Sequence, residues 1–285
     1  MERFSISQLS SMRWSFYQDV VSCAAAGFSS LGVWRQKLDD CDLFEAADFL
    51  HEMQISVSSL HWAGGFTGGN AMTFPEAIKD TEQAIRQASL LEAGCLVIHP
   101  GCRNGHTFSH ACRLLRKALN ELVPVAEDYG IRLVLELMPC RTAASDWTFL
   151  ETGCHVLDLI DDYPEDRLGL VVDLFHVGLN SEVFENLANF IHRTALVQIA
   201  DRKVNPTHAD QRLLAGTGEV PLRKWLSRIS ELGYQGQYEF ELHGHAIAKF
   251  GYKQRLDRSY EFAQSMIRML HWLPQPIKRS NRPLS

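Results

Sequence analysis

The chain has 285 residues, 46% of them hydrophobic, and a formal net charge of −6, with a pI of about 6.1. That length and apolar content suit one large α/β barrel or two small domains, and no Pro/Gly/Ser linker divides the middle, so a single domain is expected. The acidic balance gives no bulk electrostatic draw toward nucleic acid or an anionic membrane, the one basic cluster being a short tail with Lys278, Arg279 and Arg282.

The opening MERFSISQLSSMRW lacks an apolar signal core, and no apolar run is long enough to span a bilayer. The 7 cysteines are scattered with no C-x-x-C pair, which fits free thiols in the reducing cytoplasm better than disulfides or a Cys-based zinc site. Apolar runs near 2–8, 29–35, 54–61, 94–99, 131–137, 168–174, 195–200 and 236–242 read as strands. They are nearly continuous rather than alternating, as in parallel strands covered by helices. Thr73-Phe-Pro-Glu76 opens the helix after the third run as a capping box, and that helix stops at Gly94. A second helix spans 108–129 and ends at Gly130; another opens at Glu219-Val-Pro221 and closes at Gly233. The β-α alternation predicts a (β/α)8 TIM barrel over residues 1–274, followed by the basic tail 275–285. No G-x-G-x-x-G follows the first strand, which argues against an open dinucleotide-binding sheet.

Four of these runs carry a metal-capable side chain near their C-terminal ends: Glu136, Asp173, Gln198 and Glu241, in RLVLELMP, LGLVVDLFHVG, TALVQIAD and GQYEFELHG. A lone carboxylate in an apolar strand is costly, but three carboxylates and an amide at equivalent places imply a shared cation. Strand alternation puts Val134 with Glu136, Val171 with Asp173, and Leu196 with Gln198 on the axis side. Glu239 shares a face with Glu241 and lies deeper, where Arg132 is its expected partner. One divalent ion (Mn2+, Mg2+, Co2+ or Zn2+) on this donor set would polarise a carbonyl and hold an enediolate while a carboxylate moves the adjacent proton. Glu136 and Glu241 are the candidate acid/base pair.

His61, His99 and His176 fall at or just past strand ends, placed to meet a substrate hydroxyl or, for His176, to relay a proton. His155, His192 and His271 lie in helix-like segments and read as structural. Arg212, on the long 201–220 loop, is positioned to hold a substrate oxygen pair. Gly216-Thr-Gly218 reads equally as the turn before the next helix. Trp14, Trp34 and Trp62 follow the first three strands and would wall a pocket, Trp62 against substrate, while Trp14 reads equally as core packing under the helices. The Gly-rich loop 62–75 reads either as a lid or as a surface loop.

With these residues in place, the chain resembles the xylose-isomerase-like barrel superfamily of sugar isomerases, epimerases and inosose-type enzymes. The likeness runs over about residues 3–270 and rests on VIHPG, LVLELMP, VVDLFHVG, LVQIADRK, RLLAGTGEVPL and GYQGQYEFELHG. It implies a single catalytic metal on Glu136, Asp173, position 198 and Glu241, with His176 and Arg212 near the substrate. The implied partner is a small carbohydrate or hydroxy-ketone, and such barrels often form homodimers. Many epimerases of the group carry His where this chain has Gln198. That glutamine resembles the 3-dehydroshikimate dehydratase branch, so a lyase is the alternative activity. The superfamily also holds apurinic endonucleases with three zinc ions, and His61, His99, Glu136, Asp173, His176 and Glu241 match positions used there. Their third-metal Asp-Arg-His motif reads Asp210-Gln211-Arg212 here, so an intact trinuclear site is not expected. A degenerate binding barrel is a further reading, disfavoured because all four ligand positions keep an oxygen donor.

Overall fold

Eight parallel strands close into a barrel in sequence order, the last pairing with the first. The computed structural model describes residues 1–69, 71–138, 147–150, 153–204 and 211–270. Asp210, His271 and the 275–285 tail lie outside these residues. The strands are β1 (Phe4–Ser7), β2 (Ser30–Trp34), β3 (Ser56–Gly64), β4 (Leu96–His99), β5 (Leu133–Glu136), β6 (Leu168–Asp173), β7 (Thr194–Ile199) and β8 (Gln237–Phe240). Each falls on one of the predicted apolar runs. The first four helices are α1 (Phe16–Ala25), α2 (Leu43–Glu52), α3 (Phe74–Leu90) and α4 (Phe108–Asp128). Among the described residues, no helix is long and apolar enough to cross a membrane.

Side-chain alternation sorts the strands into two apolar clusters. Val97, Val134, Val171 and Leu196 point inward and plug the barrel with Cys95. Leu96, Leu133, Leu135, Leu168, Leu170 and Val197 point outward into the large cluster beneath the helices. Burying each such side chain contributes about 1.5–3 kcal/mol, so one-residue slips in register are strongly opposed. The same alternation carries Glu136, Asp173, Gln198 and Glu239 onto the axis side above that plug. Register then sets their height: Glu136 pairs with Val171, Asp173 with Gln198, and Gln198 with Glu239.

Local punctuation follows the sequence closely. Glu76 accepts hydrogen bonds from both the backbone N–H and the hydroxyl of Thr73 at 2.7 Å, which starts α3. β3 runs further than its apolar stretch predicts, through Trp62 to Gly64. Phe66 and Thr67 beyond it are buried, and the Thr67 hydroxyl donates to the carbonyl of Cys102 at 2.6 Å. The first half of the 62–75 loop is therefore a fixed wall of the barrel mouth. The Gly216-Thr-Gly218 segment is a turn: the Asp201 carboxylate accepts from the N–H groups of Gly216, Gly218 and Val220. A Cβ at Gly218 would stand 2.3 Å from that carboxylate, so the wrapping needs glycine there.

Candidate active site and metal centre

The described ends of β5 to β8 meet at an inner chamber of about 320 Å³, whose walls include Glu136, His176, Arg212, Glu241 and Trp62. Ligand-capable atoms of Glu136, Asp173 and His176 lie within 4.8 Å of one another, and so do those of His61, Glu239 and Glu241. Gln198 joins the second group, its amide N–H donating to Glu241 Oε2 at 2.5 Å. All four proposed ligands are buried. Gln198 Oε1 is buried without a hydrogen-bond partner, leaving its carbonyl oxygen open to a cation. The residues present thus fit an oxygen-coordinated divalent metal, and the carboxylate excess gives it an electrostatic reason to bind.

Arg212 is the cation on which this acidic cluster closes. It is 3% exposed, its Nη2 lies 2.7 Å from Asp173 Oδ2 and 2.9 Å from Glu241 Oε1, and the guanidinium stacks 4.5 Å from the Phe175 ring. Burial alone would favour its neutral form, but Asp173 and Glu241 reverse that and hold it firmly charged. The paired backbone bonds between Asp201 and Leu213, at 3.0 and 2.8 Å, hang this arginine over the site. Its first contacts in this structure are the carboxylates.

The two candidate acid/base carboxyls sit in opposite environments. Burial, reinforced by Asp173 and Glu241, pushes the Glu136 carboxyl well above the usual range. Burial acts the same way on Glu241, but Arg212, His243 and His61 outweigh it and hold it below that range. His243 Nε2 lies 3.1 Å from Glu241 Oε1. It was not among the residues expected at the site, although its place two positions beyond Glu241 puts it on the same face by simple alternation.

The three predicted histidines play different parts. His176 Nε2 stands 3.7 Å from both Glu136 Oε1 and Asp173 Oδ2, and His99 Nε2 is 3.8 Å from Glu136 Oε2. Burial pushes His176 down to about 4 and His99 down to about 3, so both are neutral near pH 7. His61 lies deeper, at 2.8 Å from Glu239 Oε1 and 2.9 Å from the Ser59 hydroxyl. Burial would depress it, but Glu239 overrides that and favours its charged form.

The expected Glu239–Arg132 pair is not formed. Glu239 instead accepts from the Ser58 and Ser59 hydroxyls at 2.7 and 2.6 Å and faces His61. Arg132 is turned toward the opposite end of β5, donating to the Arg193 carbonyl at 2.9 Å. Gly32 makes the network possible, because a Cβ there would lie 2.3 Å from Glu239 Oε2. Of the two readings of Trp14 the structure takes the packing one: its ring meets Tyr252 with centroids 5.2 Å apart, and it lines neither the inner chamber nor the one beside it. Trp147, which no sequence pattern singles out, replaces it. Its ring meets Trp62 at 4.9 Å and His99 at 5.5 Å.

A neutral buried His176 has a measurable consequence. Its folded-state pKa lies below the ordinary value of about 6.5, so it contributes stability present above that value and lost as pH falls toward 4. In urea titrations of metal-free protein, the stability difference between wild type and His176→Gln is expected to shift toward the variant below pH 6.5. The slope should approach about 1.4 kcal/mol per pH unit. A pH-independent difference would mean that His176 titrates alike in the folded and unfolded chains and is not held neutral by burial.

Comparison with known proteins agrees with this architecture. The family model for the xylose isomerase-like TIM barrel matches residues 20–266. An uncharacterized protein of Methanocaldococcus jannaschii, MJ1311, is 29% identical over 172 residues, covering 58% of this chain and 55% of that one. This chain spans about half the length of that relative and of a second from the same organism. The inosose isomerase of Halalkalibacterium halodurans is 23% identical over 210 residues, covering 72% of this chain and 73% of its own. Among solved structures, IolI protein with a bound zinc atom superposes with a TM-score of 0.80 at 18% identity, over 94% of this chain and 99% of that one. A match across most of the barrel, joined to eight parallel strands of which β5, β6 and β8 carry a carboxylate at or next to their carboxyl ends, shows that the chain belongs to the xylose isomerase-like TIM barrel family.

Proposed function

We propose that the protein is a divalent-metal-dependent isomerase or epimerase of a small sugar, sugar phosphate or polyol-derived ketone. The observation that carries this reading is the gathering of four oxygen donors at the ends of β5 to β8: Glu136 and Asp173 share one cluster of ligand-capable atoms, Gln198 is bonded to Glu241, Arg212 joins Asp173 to Glu241, and Glu136 and Glu241 line the inner chamber. The inosose isomerase relative supports the substrate class. Glu136, Asp173, Gln198 and Glu241 would hold the metal, which when bound supplies a Lewis acid for the substrate carbonyl.

The chain's own groups then move the proton. One of Glu136 and Glu241 takes the proton from the carbon beside the carbonyl. The C–H electron pair becomes the C=C of a planar enediolate as the carbonyl π pair moves onto its oxygen. The other carboxyl returns a proton, to the opposite face of the same carbon for epimerisation or to the neighbouring carbon for isomerisation. Neutral His176 and His99 are placed to hydrogen-bond substrate hydroxyls, and Arg212 to steady an oxygen near Asp173 and Glu241. Apolar walls from Met138, Phe175 and Trp62 keep water from the intermediate. Gln198, where many epimerases resemble one another in carrying His, favours a second reading in which the same first step is followed by loss of a β-hydroxyl.

Elemental analysis beside turnover tests the reading. Wild type reconstituted with Mn2+ is expected to retain about one ion per chain and Glu241→Ala to lose it, because a missing ligand weakens a small oxygen site strongly. Ketoses and inososes assayed by NMR in D2O should incorporate deuterium at the carbon beside the carbonyl. Release of water from a 3-dehydroshikimate-type acid, with no ketose exchange, would select the lyase. Metal-free protein after reconstitution would overturn both.

A further inference from the structure

Beside the inner chamber lies a second, larger one of about 590 Å³. It is bounded by the end of β2 with the turn Arg35–Asp40, by α3, and by the end of β3. The two chambers share His61, Trp62, His99 and Trp147 in their walls, so they are neighbouring compartments of one cleft. A substrate site of drug-like size occupies roughly 300–1,000 Å³. The inner chamber alone stands at the bottom of that range, and a single sugar ring leaves the outer one empty.

The lining of the outer chamber states what it accepts. Its arginine spends four of its five N–H donors within the protein: Arg35 donates two hydrogen bonds to Asp80 at 2.9 Å, one to Gln87 at 3.0 Å and one to the Trp62 carbonyl at 3.0 Å. In the inner chamber Arg212 is held by Asp173 and Glu241 through Nη2, while its Nε and Nη1 are buried without a hydrogen-bond partner. Among the described residues lining the outer chamber there is no lysine, and the one arginine is paired with Asp80, which leaves no free cation there for a phosphate. The rim instead presents the amides of Gln36 and Gln83 and the carboxylate of Asp39, the donors and acceptors that match hydroxyl groups.

Aromatic surface completes the match. Trp147 is 41% exposed, at the junction, with its backbone tied to Gly101 by a 2.9 Å hydrogen bond. Trp34 adds a third indole to the outer wall, beside Trp62 and Trp147. His99 Nδ1, also at the junction, is buried without a hydrogen-bond partner.

Resting on the isomerase reading, we infer that the outer chamber is a subsite for a second, uncharged polyhydroxylated ring. The substrate would then be a glycosylated ketose or ketone rather than a free monosaccharide. Its reacting end sits beside Glu136 and Glu241. The attached ring lies past Trp147 against Trp34, Gln83 and Asp39.

The test compares D-fructose with isomaltulose, a fructose carrying a glucosyl ring at its 6-hydroxyl, on the Mn2+-loaded enzyme. Binding is followed by tryptophan fluorescence and turnover by NMR. Two variants on exposed positions of the outer wall, Asp39→Ala and Gln83→Trp, leave the acid/base residues untouched. Isomaltulose is expected to bind at least about tenfold more tightly than fructose, with Gln83→Trp erasing that advantage and changing fructose binding less than about twofold. Equal affinity for the two sugars, or equal losses for both in the variants, overturns the subsite. Chamber-dependent binding without proton exchange keeps the subsite and rejects the isomerase. Exchange on fructose with no disaccharide preference does the reverse.

Discussion

Replacing Glu136 by glutamine is expected to lower kcat by about 10²–10⁴-fold while leaving the barrel folded, the range lost when a positioned general acid or base is removed. The side chain stays the same size, so the packing at the end of β5 is preserved. What disappears is a group that can hold a proton and give it up. Stability should hold or rise slightly. Burial, Asp173 and Glu241 all disfavour the ionised Glu136, and the amide removes that repulsion. The measurement is proton exchange on a ketose, with urea unfolding and metal content determined on the same preparation. Metal retained and turnover lost assigns Glu136 to the chemistry. Turnover within a few-fold of wild type would reject it as acid or base.

Much of this site is legible in the sequence because parallel barrel strands are buried on both faces. A continuous apolar run marks each strand, and the period of two tells which side chains share the axis with a given carboxylate. That logic places Glu136 with Val134 and Asp173 with Val171, and the inner cluster bears out both. It fails where the answer depends on closure of the barrel. Glu239 and His61 lie 178 positions apart on strands that are not neighbours. Arg132 looks equivalent to His61 as a partner because it also borders a strand, yet it points out of the opposite end. Trp147 escapes sequence patterning for another reason: its position comes from a loop tied to Gly101, and no periodicity describes that bridge.

The function of Arg212 is only half visible in the sequence for the same physical reason. An arginine on a loop over a pocket reads as a substrate anchor. The structure shows that it first neutralises Asp173 and Glu241. A charge pattern along a sequence tells which groups exist, and only the fold tells which of them consume one another. The same holds for Arg35 and Asp80, a bidentate pair 45 positions apart that removes the obvious phosphate ligand from the outer chamber.

Lys37→Met should destabilise the protein by about 3–5 kcal/mol, and the double change Asp19→Leu with Lys37→Met should recover most of that loss. Lys37 is 6% exposed and Asp19 on α1 is 3% exposed, and they form a direct ion pair. Lys37 also donates to the Ser11 carbonyl at 2.9 Å, and the Ser11 hydroxyl donates to Asp19 at 2.5 Å. Burial raises the Asp19 carboxyl to about 6 even against its lysine, and it lowers Lys37. Methionine fills the stem volume but strands a buried carboxylate, whereas removing both charges leaves an apolar contact. Urea unfolding at pH 7.5 of the two single variants and the double variant closes the cycle. Additive losses, with no recovery in the double variant, would show that the charges do not act as a pair. The pair ties the segment after β1 to the turn Arg35–Asp40, which carries Arg35, Gln36 and Asp39 into the outer chamber. The double variant should therefore regain stability before it regains any outer-ring preference, because apolar contact restores cohesion without restoring the directional hold on that turn.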